Sequence, residues 1–415
     1  MSIAPLYQIM TNLNCNLDCH YCYEQKTGKQ NTVGNVRTFL ASLFKRDEGN
    51  TGPVLIDLIG GEPLLFPELC RAAMEVANEL AVKYGRSCVH GSVSSNGTLF
   101  GNPDVRSFIE DYRRQLNVGV SIDGTREMHD RHRVFKSSPT RGSYDQAIEN
   151  LPWLFDTVGR RNVTCKHTLT PEAVPTMADG YFNLVDLGFA KIIQNFTFED
   201  AYDLDCGMLI FEQLKTVMDH WAGEGWYNSI EYSEITDKTP IDYLEGLTLP
   251  LKDEERNMCG TCKHMNCLGF DGEVYGCNRF LTMNQPGNVI GSLDHAGQTI
   301  DYNKTGFLEE VQDQWKIRAS DPVCGSCRLR NECSHCAARP YEAPEGVEAF
   351  MRSRNMCGWT HALGLARIYS MSLMKIYEAE HGNPPDRFVE AGLFMGHSAH
   401  GPQSLKASDL KMLGA

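Results

Sequence analysis

Up to about residue 200 the chain alternates short apolar runs with longer amphipathic ones, and few folds tolerate that alternation. "LYQIMT" (6–11), "VLIDLIG" (54–60), "CVHGSVSS" (88–95), "NVGVSID" (117–123), "NVTCKHTLT" (162–170) and "KIIQNFTF" (191–198) read as strands. They are rich in β-branched residues and nearly continuously apolar, as strands covered on both faces are. Between them "FPELCRAAMEVANELAVKYG" and "YDQAIENLPWLFDTV" carry helical periodicity, and Pro103 stands where a helix would begin. Strand–helix units in series imply an α/β fold with a parallel sheet and right-handed crossovers. Six units fall short of the eight that close a TIM barrel, so the expected architecture is a partial (β/α)6 barrel with one open side. Such barrels carry their chemistry in the loops after the strands.

The first of those loops contains "NLNCNLDCHYCYEQ", in which Cys15, Cys19 and Cys22 are spaced C-x3-C-x2-C. A [4Fe–4S] cluster that only shuttles electrons takes four thiolates. Three thiolates leave one iron open, which suits reductive cleavage of a bound sulfonium. The chain has 16 cysteines in 415 residues, and most are clustered in residues 15–22, 259–277 and 324–357. Clustered cysteines in a cytosolic chain indicate metal ligands rather than disulfides. Cys70, Cys88, Cys165 and Cys206 are scattered and are expected in the core. A net charge of -14 excludes a chain that neutralises nucleic-acid phosphates. No apolar run reaches the roughly 18 residues of a membrane span, and the N-terminus lacks a signal-peptide pattern. The expected compartment is the cytoplasm.

Further segments follow the later strands in order: "GGEP" (60–63) the second, "SSNGTL" (94–99) the third, "SIDG" (121–124) the fourth, then "HDRHR" (129–133). Each alone reads as a turn or a helix cap. Together, behind C-x3-C-x2-C, they make the chain resemble the radical S-adenosylmethionine (radical SAM) enzymes. The resemblance implies that the amino and carboxylate groups of SAM fill the fourth iron site, with Tyr21 near the adenine. It assigns Gly60, Gly61, Glu62 and Pro63 to SAM's amino group; two glycines let backbone approach a ligand, and a glutamate suits an ammonium. Ser95, Asn96, Ser121 and Asp123 would contact ribose and methionine, and Arg133 would meet the SAM carboxylate.

The second half has its own pattern. "CGTCKHMNCLGFDGEVYGC" places Cys259, Cys262, Cys267 and Cys277 around a hairpin signalled by Asp271-Gly272. "CGSCRLRNECSHC" supplies Cys324, Cys327, Cys333 and Cys336, and Cys357 follows. Alone, paired C-x2-C units suit a zinc ribbon as well as iron–sulfur clusters. Behind the N-terminal motifs, the region resembles the SPASM extension of radical SAM peptide-modifying enzymes. That resemblance implies two auxiliary [4Fe–4S] clusters, hence three in all. One takes Cys259, Cys277 and Cys336 with Cys262 or Cys267; the other takes Cys324, Cys327, Cys333 and Cys357. Two residues precede Cys336 where the family has three, and residues 259–277 hold one cysteine too many. The expected organisation is a barrel at 1–205, a helix and polar linker at 206–258, the auxiliary-cluster domain at 259–357, and a helix with a loosely ordered tail at 358–415. The tail contains His397 and His400.

The resemblance implies cleavage of SAM to methionine and a 5′-deoxyadenosyl radical, with electrons from a flavodoxin or ferredoxin. The radical would take hydrogen from a precursor peptide. The related anaerobic sulfatase-maturating enzymes carry an aspartate base after the hairpin cysteine. Here Cys277 is followed by Asn278 and Arg279, and a neutral amide cannot take that proton. The expected function is therefore maturation of a ribosomally synthesised peptide by a carbon–carbon or thioether cross-link. Formylglycine formation of the sulfatase-maturase kind is the alternative. A non-catalytic iron–sulfur or zinc scaffold is the alternative of another class. With the first strand starting near residue 6, leader binding is expected at the hairpin edge, by strand addition.

Overall fold

The computed structural model describes residues 4–223, 231–232, 261–262, 265–282, 288–303, 311, 321–327, 329, 336, 338 and 356–382. In chain order the elements that matter are β1 (Leu6–Asn12), α1 (Val33–Arg46), β2 (Val54–Gly60), α2 (Pro67–Lys83), β3 (Val89–Ser95), α3 (Pro103–Tyr112), β4 (Leu116–Ser121), α4 (Arg126–His132), β5 (Val134–Phe135), β6 (Ser138–Gly142), α5 (Tyr144–Ile148), α6 (Leu151–Val158), β7 (Val163–Leu169), α7 (Met177–Asp186), β8 (Lys191–Phe196) and α8 (Leu204–Gly223). All six expected strands are present, and they pair in parallel in the order β1-β2-β3-β4-β7-β8. The short β5–β6 hairpin stands apart from this sheet.

The two faces of the sheet differ more than the near-continuous apolar runs suggest. On the helix side Tyr7 meets Phe44 of α1 edge-on at 5.9 Å. On the same side Gly91 leaves room for Met74 of α2, whose Sδ would lie 2.8 Å from an added Cβ. The opposite face is polar. Gln8 donates to Asp57 at 3.1 Å, and Lys166 crosses Gly119 to reach Ser94. Ser92, Ser94, Thr164, Lys166 and Thr168 alternate with buried neighbours and are themselves half-buried. The sheet thus has one apolar, helix-covered face and one polar face that borders the concavity of the partial barrel. Short polar residues between apolar ones account for the near-continuous look of the runs.

The cysteine-rich half continues the sheet. It contributes β9 (Glu231–Tyr232), β10 (Met265–Leu268), β11 (Glu273–Tyr275), α9 (Asn278–Thr282), β12 (Val289–Asp294), β13 (Thr299–Tyr302), α10 (Pro322–Ser326) and α11 (Cys357–His381). β10 adds in parallel to the free edge of β1, with Gln8 opposite Cys267, and β11, β12 and β13 follow antiparallel. The β10–β11 hairpin turns at Gly272, φ +79°, where Asp271-Gly272 predicted a turn. It is bound to the first barrel loop by Lys29–Asp271 at 2.6 Å and by the Asn31 amide donating to the Gly269 carbonyl at 2.8 Å, and to the first turn of α1 by the Asn35 amide donating to the Phe270 carbonyl at 2.9 Å. Against α1, the Ile300 N–H donates to Ser42 Oγ at 2.9 Å.

α11 lies along α8 because two glycines meet there. The Gly358 N–H donates to the Tyr202 carbonyl at 2.9 Å, and a Cβ on Gly207 or Gly358 would collide with facing backbone. Trp359 packs on Phe196, ring centroids 3.6 Å apart, so Cys357 is anchored to the end of β8. Within the stretch read as a polar linker, Glu231–Tyr232 instead forms β9, paired with Lys191 and Ile192; its other residues lie outside those described. Cys259, Cys333, His397 and His400 also lie outside the described residues. Cys70 and Cys165 are buried as expected, but Cys88 and Cys206 are only half-buried. Cys88 precedes β3 beside His90, 3.2 Å from its Nε2, and Cys206 sits in the first turn of α8. No helix among the described residues is long and apolar enough to cross a membrane.

Candidate active site

β1 delivers the cysteine loop and β2 holds it. The Asn12 amide donates to the Glu62 carbonyl at 3.1 Å, and its oxygen accepts from the Asn14 N–H at 2.8 Å. The Gly61 N–H donates to the Asn12 carbonyl at 2.9 Å and the Glu62 N–H to the Asn14 carbonyl at 2.8 Å. A Cβ on Gly60 or Gly61 would overlap the Asn12 or Asn14 carbonyl oxygen. The close approach that these two glycines permit is therefore to the backbone of the cysteine loop.

Glu62 is fully buried. Its carboxyl accepts from the Leu64 N–H at 3.1 Å and the Asn96 N–H at 2.7 Å, tying the loops after β2 and β3 together. Burial pushes that carboxyl up to about 7, against the opposing effect of these backbone donors. Pro63 starts the short turn behind it. Ser95 Oγ accepts from the Gly97 N–H at 3.1 Å. Asn96 in turn donates to Asn16 at 2.8 Å and points its amide at Cys15 Sγ, 3.8 Å away.

Burial raises all three thiols, Cys15 up to about 11 with Glu62 adding to the effect. Thiols held neutral by burial become ligands when a metal supplies the missing positive charge. The donor set of soft sulfur, with Leu17 and Asn96 N–H groups directed at Cys15 Sγ, fits an iron–sulfur cluster. Among the described residues no three His, Cys, Asp or Glu side chains close on a single ion. A cube takes each thiolate on a separate iron.

The second group joins three motifs. Asp123, just beyond β4 and buried, accepts from Arg133 Nε at 2.7 Å, Arg133 Nη2 at 3.1 Å and the Thr168 N–H at 3.0 Å. The Tyr21 hydroxyl donates to the same carboxylate, and the Arg133 guanidinium lies 5.4 Å from the Tyr21 ring centre. Burial pushes the Asp123 carboxyl upward, but Arg133 overrides it and holds it below the ordinary range. The charge of Arg133, expected to meet the SAM carboxylate, is thus already met by Asp123. Ser121 ends β4, half-buried, on the polar face.

Asp123→Asn leaves Arg133 buried without its counter-charge, and should cost about 3–5 kcal/mol in urea unfolding. A depressed folded pKa stabilises above the unfolded value of about 3.9. That contribution is lost as pH falls through the lower folded value. The variant should therefore lose less stability than wild type on acidification, and an equal acid loss in both would contradict this pairing.

The hairpin brings the residues that follow Cys277 to the same loop. Cys277 follows β11. Cys262 has φ +58° and its Sγ packs where a Cβ on Gly276 would be. Cys267 is buried on β10, level with Gln8. Asp321 caps α10, accepting from the Val323 and Cys324 N–H groups at 2.9 and 2.8 Å, and Cys327 follows. Cys336 and Cys357 are half-buried. The Asn278 N–H donates to Gln8 Oε1 at 3.1 Å and its amide to the Tyr23 hydroxyl at 2.9 Å. Arg279 lies over Tyr23 and Phe198, 4.6 and 5.3 Å from their ring centres, and pairs with Glu199. Glu24, two residues after Cys22, was not singled out by motif. Burial pushes its carboxyl up to about 8, and its Oε2 is buried without a hydrogen-bond partner.

No family model matches the chain. Over 318 residues it is 26% identical to the serine-type anaerobic sulfatase-maturating enzyme of Bacteroides thetaiotaomicron, covering 67% of this chain and 70% of that protein. Among solved structures, anSMEcpe with bound AdoMet and Kp18Cys peptide matches with a TM-score of 0.65 at 18% identity, over 90% of this chain and 99% of the other. Streptococcus suis SuiB bound to precursor peptide SuiA matches with a TM-score of 0.57 at 13% identity, over 83% and 74%. With the partial barrel and its three-cysteine loop, these similarities support a radical SAM enzyme of the SPASM-related kind.

Proposed function

We propose that the protein modifies a peptide or protein side chain by hydrogen abstraction, and that oxidation of the sulfatase-maturase kind is its best-supported reaction. The long match to a sulfatase-maturating enzyme, 67% of this chain, carries that reading. With SAM bound, reductive cleavage at the cluster supplies a 5′-deoxyadenosyl radical. Cys15, Cys19 and Cys22 hold the cluster, Asn96 steadies Cys15, and Tyr21, Asp123 and Arg133 form the neighbouring wall. Cys259, Cys277 and Cys336 with Cys262 or Cys267, and Cys324, Cys327, Cys333 and Cys357, hold two auxiliary clusters. A flavodoxin or ferredoxin supplies electrons. Peptide cross-linking is the second reading, favoured by Asn278: its amide is a donor to Tyr23, where the sulfatase maturases carry a base. In that case a leader peptide adds not to the hairpin edge, since β10 is paired with β1 and β11 with β12, but to β13, an outer strand of the sheet among the described residues.

The test is anaerobic reconstitution followed by iron and sulfide analysis, then dithionite, SAM and a peptide bearing one cysteine or serine. About twelve irons per chain and deoxyadenosine are expected. A product captured by a hydrazide reagent marks the aldehyde; a hydrazide-silent product that has lost hydrogen marks a cross-link. Zinc without deoxyadenosine would overturn both.

A further inference from the structure

We propose that Lys166 binds a carboxylate of the peptide substrate, an acidic side chain or the C-terminus, inside the barrel; the inference rests on the maturase reading. Lys166 stands in the middle of β7 on the polar face, level with Ser121 at the end of β4. Its side chain runs back over Gly119, where an added Cβ would lie 2.7 Å from its Cε, and ends on the Ser94 hydroxyl. Ser94 and Gly119 face each other in the β3–β4 register, two residues before Asn96 and Ser121. At about 3.3 Å per residue, the ammonium sits ~7 Å inward of the level of those two residues. Asn96, Asp123 and Arg133 stand at or beyond the strand ends, beside the cysteine loop, where SAM is expected. The ammonium lies below that layer, in the concavity, where a substrate facing the radical has to lie.

No carboxylate meets this cation among the described residues; its one hydrogen bond is to the neutral Ser94 hydroxyl. Asp123 is held by Arg133, Tyr21 and the Thr168 N–H. Asp57, the one acid within the six barrel strands, stands on β2 opposite Ser92 and accepts from Gln8 at 3.1 Å. Lys191, the other lysine of those strands, is at the opposite end of the sheet, where β8 begins. An ammonium has three donors, and Ser94 takes one of them. The Ser94 hydroxyl accepts from Lys166 and so keeps its own proton to donate. Two donors therefore converge on one point of the wall. A half-buried charge without a counter-charge is costly to leave so. A carboxylate takes both donors and meets the charge, making charge-assisted bonds; a neutral amide would accept the bonds and leave the charge.

The experiment uses the reconstituted, SAM-loaded full chain without oxygen and three pools of random peptides built around one cysteine or serine. The first contains aspartate and glutamate and has an amidated C-terminus. The second carries asparagine and glutamine in their place and a free C-terminal carboxylate, and the third has neither kind of carboxylate. Wild type should retain the first or the second pool roughly 10-fold better than the third, as one charge-assisted bond allows. Which of the two it prefers identifies the source of the carboxylate. The preference should fall toward one in Lys166→Met, with SAM affinity as in wild type. Lys166→Gln, which keeps a donor for Ser94, is read instead should Lys166→Met lose iron. Equal retention of the three pools by wild type, retention of none, or an unchanged preference without the ammonium would overturn the site. A fall in SAM affinity in the variant would assign Lys166 to the cofactor and overturn it as well. Deoxyadenosine formation by wild type is measured in parallel. Its absence rejects the maturase reading itself, whereas its presence without a carboxylate preference rejects only the site.

Discussion

Replacing Cys15, Cys19 and Cys22 together by alanine should remove about four irons per chain and abolish deoxyadenosine formation, with the remaining iron retained. The three thiols are raised by burial and are served by the Leu17 and Asn96 N–H groups at Cys15. Their upward shift keeps them neutral without a cation, and a bound metal makes them good ligands. Alanine at all three removes the ligands while leaving the zipper between Asn12–Asn14 and Gly61–Glu62 intact, so the barrel should still fold. Cys70→Ala and Cys165→Ala are the matched controls, since both thiols are buried in the core and should leave iron unchanged. Iron analysis decides the outcome: a triple variant with full iron content would place the first cluster elsewhere.

Gly61→Ala should be among the most damaging single methyl groups in the barrel. An added Cβ would overlap the Asn14 carbonyl oxygen, with the backbone of Leu13 close behind. Both obstacles are backbone, so no rotamer change relieves the clash. The loops after β1 and β2 must separate, breaking the Gly61–Asn12 and Glu62–Asn14 bonds of 2.9 and 2.8 Å and disturbing the buried Glu62. A loss of about 4 kcal/mol is expected, together with loss of iron from the displaced cysteine loop. Gly49→Ala, where nothing lies within 4 Å but φ is +89°, should cost only about 1–2 kcal/mol. Urea unfolding of the two variants gives the comparison, and equal losses would mean that the loop yields without strain.

Much of this molecule is legible without coordinates, for local reasons. The six strands match the quoted apolar runs to within a residue or so because β-branched residues between Gly, Pro and Asn turns encode extension locally. Asn102 and Pro103 start α3 as cap and first residue, the side chain of Asn102 accepting from the Asp104 and Val105 N–H groups. Asp271-Gly272 makes its turn because Gly272 takes a positive φ. The cysteine loop was legible for a similar reason: it immediately follows β1 in the chain. Other features had no local signature. Glu62 suited an ammonium by its charge, yet its oxygens are occupied by backbone N–H groups of Leu64 and Asn96. Glu24 belonged to no motif, and the burial that raises its carboxyl emerges only from what surrounds it.

The order of the strands and the place of the first three cysteines were determined by the sequence, because periodicity and turn chemistry act over a few residues. The tertiary structure decided which distant residues meet. Tyr21 bonds Asp123 across 102 positions and Asn278 reaches Gln8 across 270. β10 could add to β1 only because that edge was left free by a barrel of six strands. Its register then brings Cys277, Asn278 and Arg279 to the cysteine loop. Such pairings depend on burial, register and the docking of whole elements, none of which has a period that can be read along the chain.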